Sequence, residues 1–190
     1  MLTVGLVGFG LAGQVFHAPV IRAVEGLRLT TIVKRSGEPD PRYSDVELVR
    51  SVDELLTRPI DLVVIATPNP SHHPIAKQCL LAGRQVIVDK PVTTTVGEAE
   101  ELVQLGTEKQ RVLSVYQNRR YVGDFVTLQK LLSEGVLGRV ATFESHVDRF
   151  RPELKPAAWR ERPQPGSGVW FDLGAHLLDQ GEAIHVRDEH

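Results

Sequence analysis

Val4-Gly5-Leu6-Val7-Gly8-Phe9-Gly10-Leu11-Ala12-Gly13 is the stretch that decides the fold. The run Val4-Gly5-Leu6-Val7 reads as a buried parallel strand, and the G-x-G-x-x-G that follows reads as the turn from that strand into a helix. In a dinucleotide-binding unit the first glycine permits the tight turn, the second lets backbone approach a pyrophosphate, and the third lets the helix pack on the sheet. The helix start adds free N–H groups and the positive end of its dipole. A glycine-rich turn without a ligand is the competing reading. The position of the motif, between the first strand and the first helix, argues for the cofactor.

The pattern after this turn repeats strand and helix. A helix is expected to about Val24, then strands at Leu27–Val33, Asp61–Ile65, Gln85–Val88 and Arg111–Val115. Between them lie a short helix opened by a capping box at Ser51-Val52-Asp53-Glu54, a helix Pro74–Leu81 capped by Ser71, and an amphipathic helix Val96–Lys109. Alternation of this kind predicts an α/β fold, a Rossmann-type doubly wound parallel sheet with its ligand at the carboxyl ends of the strands. Beyond the Arg120–Gly123 region the pattern changes. A helix Phe125–Glu134, a strand Val140–Asp148, a Pro/Gly/Arg-rich loop Arg151–Gly168 and a helix Trp170–Gln180 predict the start of a second, α+β domain. The division expected is 1–120 and 121–190.

Composition narrows the class. The chain has 190 residues, 42% hydrophobic and 24% charged, with a formal charge of -2. These are values of a globular domain, and they do not supply the basic surface that holds nucleic acid. The single cysteine, Cys79, allows no internal disulfide and no cysteine-based metal site, which points to a reducing compartment. No apolar run reaches membrane-spanning length and no basic leader precedes the first strand, so a cytoplasmic protein without a membrane partner is expected. Cys79 lies mid-helix and is expected to be buried and inert.

The end of the second strand bears on cofactor choice. An NAD site commonly places an acid there, about twenty residues past the glycine turn, on the ribose 2′-hydroxyl. Here the sequence is Val33-Lys34-Arg35-Ser36, with no acid before Glu38. Two cations and a hydroxyl suit a 2′-phosphate, so NADP is expected over NAD, against the alternative of a solvated basic loop.

Three further turns are expected at strand ends: Thr67-Pro68-Asn69, Asp89-Lys90-Pro91 and Asn118-Arg119-Arg120. A partly desolvated lysine there can exchange protons, whereas a lone lysine is more commonly an exposed loop residue. The following proline invites a cis peptide. Asp172 and His176 are four apart on an expected helix and share a face. They read as an acid–base pair, as a cap beside a packing histidine, or as part of a metal site, the last without a third ligand at sensible spacing. His72 and His73 abut a helix start, where one could reach a ligand, and His17 is expected to pack.

Taken together, the glycine turn, Phe16-His17-Ala18-Pro19, Thr67-Pro68-Asn69, Asp89-Lys90-Pro91, Ser114–Arg120, Glu144–Pro152 and Asp172–Gln180 resemble the Gfo/Idh/MocA oxidoreductases, nearest the branch with NADP-dependent scyllo-inositol dehydrogenases. The family's Glu-Lys-Pro stands here as Asp89-Lys90-Pro91, and its His-Asn-Arg-Arg as Gln117-Asn118-Arg119-Arg120. The resemblance implies hydride transfer between a nicotinamide and a hydroxyl-bearing carbon of a cyclic polyol or sugar. Lys90 matches the catalytic lysine, His176 its proton-moving partner and Asp172 the residue that holds substrate. The cofactor contacts expected are Gly8, Gly10, Leu11, Ala12, Gly13, Lys34, Arg35, Ser36, Thr67, Pro68, Asn69, His72, Asp89, Lys90, Pro91 and Asn118, with no metal. Family members continue with a large antiparallel sheet, whereas this chain stops ten residues after Gln180. The resemblance therefore implies a truncated second domain, with Gly181–His190 off the family's helix pattern and a homo-oligomer only where that sheet is present. A cofactor-binding protein without turnover and an inactive remnant are the competing classes. The joint retention of Lys90, Asp172 and His176 favours descent from a catalyst.

Overall fold

The computed structural model describes residues 1–38, 40–148, 150, 152–153, 163 and 165–185. Packing divides the chain into two compact units, Met1–Tyr116 and Gln117–His190.

The first unit is built on six strands: β1 (Leu2–Val7), β2 (Leu27–Val33), β3 (Glu47–Val49), β4 (Leu62–Ile65), β5 (Gln85–Asp89) and β6 (Leu113–Tyr116). All pairings are parallel and the spatial order is β3-β2-β1-β4-β5-β6. This is the doubly wound order, and the chain reverses direction across the sheet between β1 and β4. The central strands are hydrophobic because helices cover both of their faces. Alternate residues serve opposite faces. Val63 and Ile65 meet Leu55, Ala76, Cys79, Leu80 and Leu102 on one side, while Leu62 and Val64 join Ala18, Ile21 and Tyr43 on the other.

The helices of this unit are α1 (Ala18–Ala23), α2 (Val52–Leu56), α3 (His72–Leu81) and α4 (Val96–Glu108). The first is entered through a π-helical segment, Gly13–His17, in which the Ala18 N–H reaches back to the Gly13 carbonyl. Pro19 has no N–H for the Val15 carbonyl, and its ring crowds the preceding turn, so a widened turn is the local solution. The α2 cap departs from the expected box. Ser51 Oγ accepts the Glu54 N–H at 3.1 Å, but the Glu54 carboxylate takes the Arg50 N–H instead of that of Ser51. A reciprocal box closes α4, between Thr95 and Glu98. Ser71 does not cap α3: its hydroxyl bonds the Pro68 carbonyl and the Thr67 hydroxyl, 2.7 and 2.8 Å away.

In the second unit the described elements are α5 (Gly123–Ser133), a π-helical segment Trp170–Gly174 and α6 (Ala175–His185). Two sequence expectations change here. Residues 140–148 are not a strand; the described residues of this unit offer no second strand to pair with, and an extended segment without a ladder keeps no strand geometry. The helix expected to end at Gln180 runs on through Gly181 to His185. Residues 186–190 and most of the expected loop at 151–164 lie outside the described residues. Among the described residues, no helix is long and apolar enough to cross a membrane.

Candidate functional site: a cleft at the strand ends of the first unit

The glycine turn leaves the carboxyl end of β1. Gly8 has φ +97°, a conformation that L side chains rarely adopt, and a Cβ there would stand 2.6 Å from the Ala66 carbonyl oxygen. Gly13 lies so close to Gly8 that a Cβ would reach its carbonyl oxygen at 2.2 Å. Those two glycines hold the turn against the sheet. Gly10 differs: a Cβ would meet nothing within 4 Å, so the backbone is bare towards open space.

That space is part of a cleft of ≈ 620 Å³. It joins Gly8 and Gly10 to Lys34, Arg35 and Ser36 at the end of β2, and to Thr67 and Pro68 at the end of β4. These are the ends at which the strand order reverses, where an open α/β sheet takes its ligand. Arg35 and Ser36 are exposed and Lys34 is half-buried. Arg50 also lines the cleft. Its guanidinium donates to the carbonyls of Lys34 and Gly37 at 3.0 Å each, bracing the basic loop. The sequence reading missed Arg50 because β3, which delivers it, is only three residues long. Asp53 and Gln78, hydrogen-bonded to each other, complete this side. A dinucleotide fits these residues: bare backbone at Gly10 for a pyrophosphate, and cations at the ribose end.

The remaining expected contacts are distributed differently. Leu11 is exposed, Ala12 half-buried and Gly13 buried, and none of the three lines the cleft. Asn69 is buried at 7% exposure. His72 is a correction. It is fully buried, with Nδ1 2.7 Å from the Pro91 carbonyl oxygen and Nε2 2.8 Å from that of Thr67. Both ring nitrogens are committed to backbone, so neither is left for a ligand.

Asp89, Lys90 and Pro91 follow β5, the neighbour of β4. The Lys90–Pro91 peptide is cis, as the sequence suggests. Lys90 is half-buried, and its N–H donates to Asp89 Oδ1 at 2.8 Å. Asp89 also faces His17, whose Nε2 lies 3.4 Å from Oδ2, within ion-pair range but without hydrogen-bond alignment. Burial pushes the Asp89 carboxyl up. The His17 imidazole, the Lys90 N–H and the charge of His72 pull it further the other way and hold it below the usual carboxylate range. His17 does more than pack: it comes off the π-helical segment behind the glycine turn, and its ring lies tilted against Tyr116, centroids 4.4 Å apart and planes at 47°. Burial, and then the charge of Asp89, push the Tyr116 hydroxyl up.

In the second unit, a polar cleft of ≈ 330 Å³ is lined by Arg119, Asp124, His146, Asp148, His176 and Gln180, among others. His176 is buried, on the first turn of α6. Asp172 is half-buried in the π-helical segment before it and does not line this cleft. The two are therefore not spaced along one regular α-helix, as the sequence reading has them. Asn118 opens a short 3₁₀ turn, Asn118–Tyr121. Arg120 in that turn is pinned by both oxygens of Asp179, at 2.6 and 2.7 Å, and Gln180 donates to the Arg119 carbonyl at 3.0 Å. Among the described residues, no group of three or more His, Cys, Asp or Glu side chains is arranged to hold a metal.

Comparison with known proteins agrees with this construction. Residues 2–117 match the model of an oxidoreductase family with an NAD-binding Rossmann fold, and residues 125–185 match that of the GFO/IDH/MocA C-terminal domain. The chain is 50% identical over 182 residues to the oxidoreductase YdgJ of Escherichia coli, covering 94% of this chain and 52% of that protein. It is 38% identical over 181 residues to the scyllo-inositol 2-dehydrogenase (NADP(+)) IolW of Bacillus subtilis, with 94% and 50% covered. The solved structure of Bacillus subtilis YvaA superposes with a TM-score of 0.90 at 37% identity, over 96% of this chain and 53% of that one. The chain spans about half the length of the curated relatives it matches. With a doubly wound sheet, a glycine cradle at its switch point and both domain models matched in order, the chain belongs to the Gfo/Idh/MocA family of oxidoreductases.

Proposed function

We propose that this chain works with NADP in a hydride transfer at a hydroxyl-bearing carbon of a cyclic polyol or sugar. One observation carries the cofactor part: the glycine turn and the loop Lys34-Arg35-Ser36 open on the same cleft, with Arg50 bracing that loop. A 2′-phosphate needs cations and hydroxyls where a bare ribose needs an acid. The similarity to IolW, a scyllo-inositol 2-dehydrogenase (NADP(+)), favours the same reading. A bound nicotinamide would accept or give the hydride. The chain's own residues would handle the hydroxyl proton, with Lys90 in the first unit and His176 in the second as the acid–base candidates and Asp172 as a holder of substrate. A cytoplasmic site of action accords with the single, buried, free thiol of Cys79.

The test is turnover of NADP and NAD with a panel of inositols and sugars. We expect at least one cyclic polyol to be turned over, faster with NADP. For that substrate Lys90→Ala lowers kcat about a hundredfold, in the range for loss of a general acid–base group, and leaves cofactor affinity nearly unchanged. Cofactor binding without turnover of any polyol or sugar would overturn the catalytic part. A kcat within a few-fold of the parent would make Lys90 a loop residue.

A further inference from the structure

His72 stands where β4 and β5 end side by side. Its ring touches two carbonyl oxygens, Thr67 on one side and Pro91 on the other, 2.8 and 2.7 Å away. A carbonyl oxygen only accepts. A neutral imidazole has one N–H and one bare lone pair. Either neutral tautomer would press a lone pair against an oxygen, in a place with no exposed surface and hence no water to relieve it. Two donors are needed, and only the imidazolium has two.

A buried cation needs a counter-charge. Asp89, at the end of β5, is the acid that couples to it, the charge of His72 being the last of the influences that hold the Asp89 carboxyl low. The other charged or titratable groups around Asp89 are His17 from the segment behind the glycine turn, Lys90 beside it and Tyr116 from β6. On the histidine's own helix, His73 and Lys77 are drawn away to the carboxylates of Glu98 and Glu101 on α4.

We propose that His72 is a positioning residue that acts as a doubly protonated strap, tying the Thr67-Pro68-Asn69 turn to the Asp89-Lys90-Pro91 turn and letting go of one of them when the ring loses a proton. The two turns carry one wall of the cofactor cleft and the candidate catalytic lysine. The strap therefore makes the setting of Lys90 sensitive to pH through a residue that touches neither cofactor nor substrate. Only this catalytic consequence rests on the function proposed above. The strap itself is read without turnover.

The decisive measurement is ¹⁵N NMR of the histidine rings in the folded chain, with the His72 signals assigned by their loss in His72→Gln. At pH 7 both His72 nitrogens are expected to carry protons, as two slowly exchanging N–H signals. One nitrogen resonating as unprotonated while the fold is intact would overturn the proposal. The second readout is amide exchange, corrected for the intrinsic rate. In His72→Gln, whose side chain can keep one of the two bonds, protection of the Thr67, Asn69, Lys90, Val92 and Thr93 amides should fall at least tenfold while that of β1 and β4 holds. Unchanged protection at both turns would show that the strap positions nothing. Should the variant not fold, the same comparison is made on the parent chain across a pH series. Protection at one of the two turns should fall as the second ring proton is lost, and a turn pair indifferent to that loss would overturn the proposal.

Discussion

The two units of this chain are held together by different means. In Met1–Tyr116 six parallel strands pair into one open sheet and helices bury both of its faces. Val4, Leu6, Leu55, Val63, Ile65, Leu80, Val86, Val88 and Leu102 have essentially no exposed surface. Among the described residues of the second unit, Phe125 and Ile184 are the only buried large hydrophobics, while Tyr121, Phe150 and Trp170 are 82%, 90% and 66% exposed. Among its described residues, polar ties join Arg120 to Asp179 and Gln180 to the Arg119 carbonyl. A parallel sheet with its crossover helices supplies its own backbone partners and its own core. The helices described in the second unit supply their own backbone partners, but among the described residues they bury few apolar side chains against one another.

The largest expected effect breaks or confirms this contrast directly. Leu80→Ala removes a fully buried side chain from the α3 face of the core and should cost about 2–5 kcal/mol. Leu178→Ala, at a residue 55% exposed on α6, should stay within about 0.5 kcal/mol. Urea unfolding followed by circular dichroism measures both. Cys79, next to Leu80, gives an independent signal, since burial pushes its thiol up to about 12 despite the opposing charge of Arg84. Alkylation of Cys79 at neutral pH should thus follow opening of the first unit and accelerate in Leu80→Ala. Similar costs for the two leucines would mean that the second unit has a core of its own.

How much of this was legible in the sequence follows the same division. The strands β1, β2, β4, β5 and β6 announce themselves as apolar runs because a buried parallel strand needs nothing else. The glycine turn is readable because two of its glycines answer hard-sphere limits, a positive φ at Gly8 and a near-contact at Gly13. Three-residue β3 was not legible, since it pairs only at the sheet edge with part of β2, and Arg50 was lost with it. His17 and His72 were visible as histidines, but their partners are far off in sequence: Asp89 for one, Pro91 for the other. Spacing alone does not show which strand ends lie side by side. In the second unit, periodicity suggested a strand at 140–148 and a regular helix over 170–180. The first lacks a pairing partner among the described residues, and the second begins with a π-turn that shifts Asp172 against His176.

A smaller effect sharpens the contrast on the side of function. The first unit contains the whole basic loop, so cofactor discrimination should reside there. Arg35→Ala should weaken NADPH about tenfold, roughly 1.4 kcal/mol, and leave NADH nearly unchanged, because Arg35 is exposed and makes no hydrogen bond that the loop depends on within this unit's described network. Arg50→Ala should weaken both cofactors, since it also releases the carbonyls of Lys34 and Gly37. Fluorescence titration of the two cofactors against the parent and the two variants checks this. An NADH preference in the parent chain, or equal affinities that Arg35→Ala does not alter, would end the NADP reading.

The smallest effect is expected in the second unit, at the Arg120–Asp179 pair. Arg120 grips Asp179 with two parallel hydrogen bonds, a geometry that gives an ion pair its best chance of contributing. The arginine end is 47% exposed and therefore screened, while the carboxylate end is only 11% exposed. The side-chain bond to Asp179 raises the Arg120 pKa, with burial opposing it and the Asp179 charge adding to it, but that direction is discounted for a guanidinium so open to solvent. The coupling energy should be about 1 kcal/mol or less. The two ends should not be equivalent. Arg120→Ala leaves a largely buried carboxylate without its cation, whereas Asp179→Ala leaves a guanidinium that water can solvate, so the first should cost more. A double-mutant cycle read by amide exchange in α6 measures the coupling and the asymmetry together. Equal costs would mean that the Asp179 site is wetter than its exposure implies. A coupling of several kcal/mol would mean that one ion pair gives the second unit what the sheet gives the first.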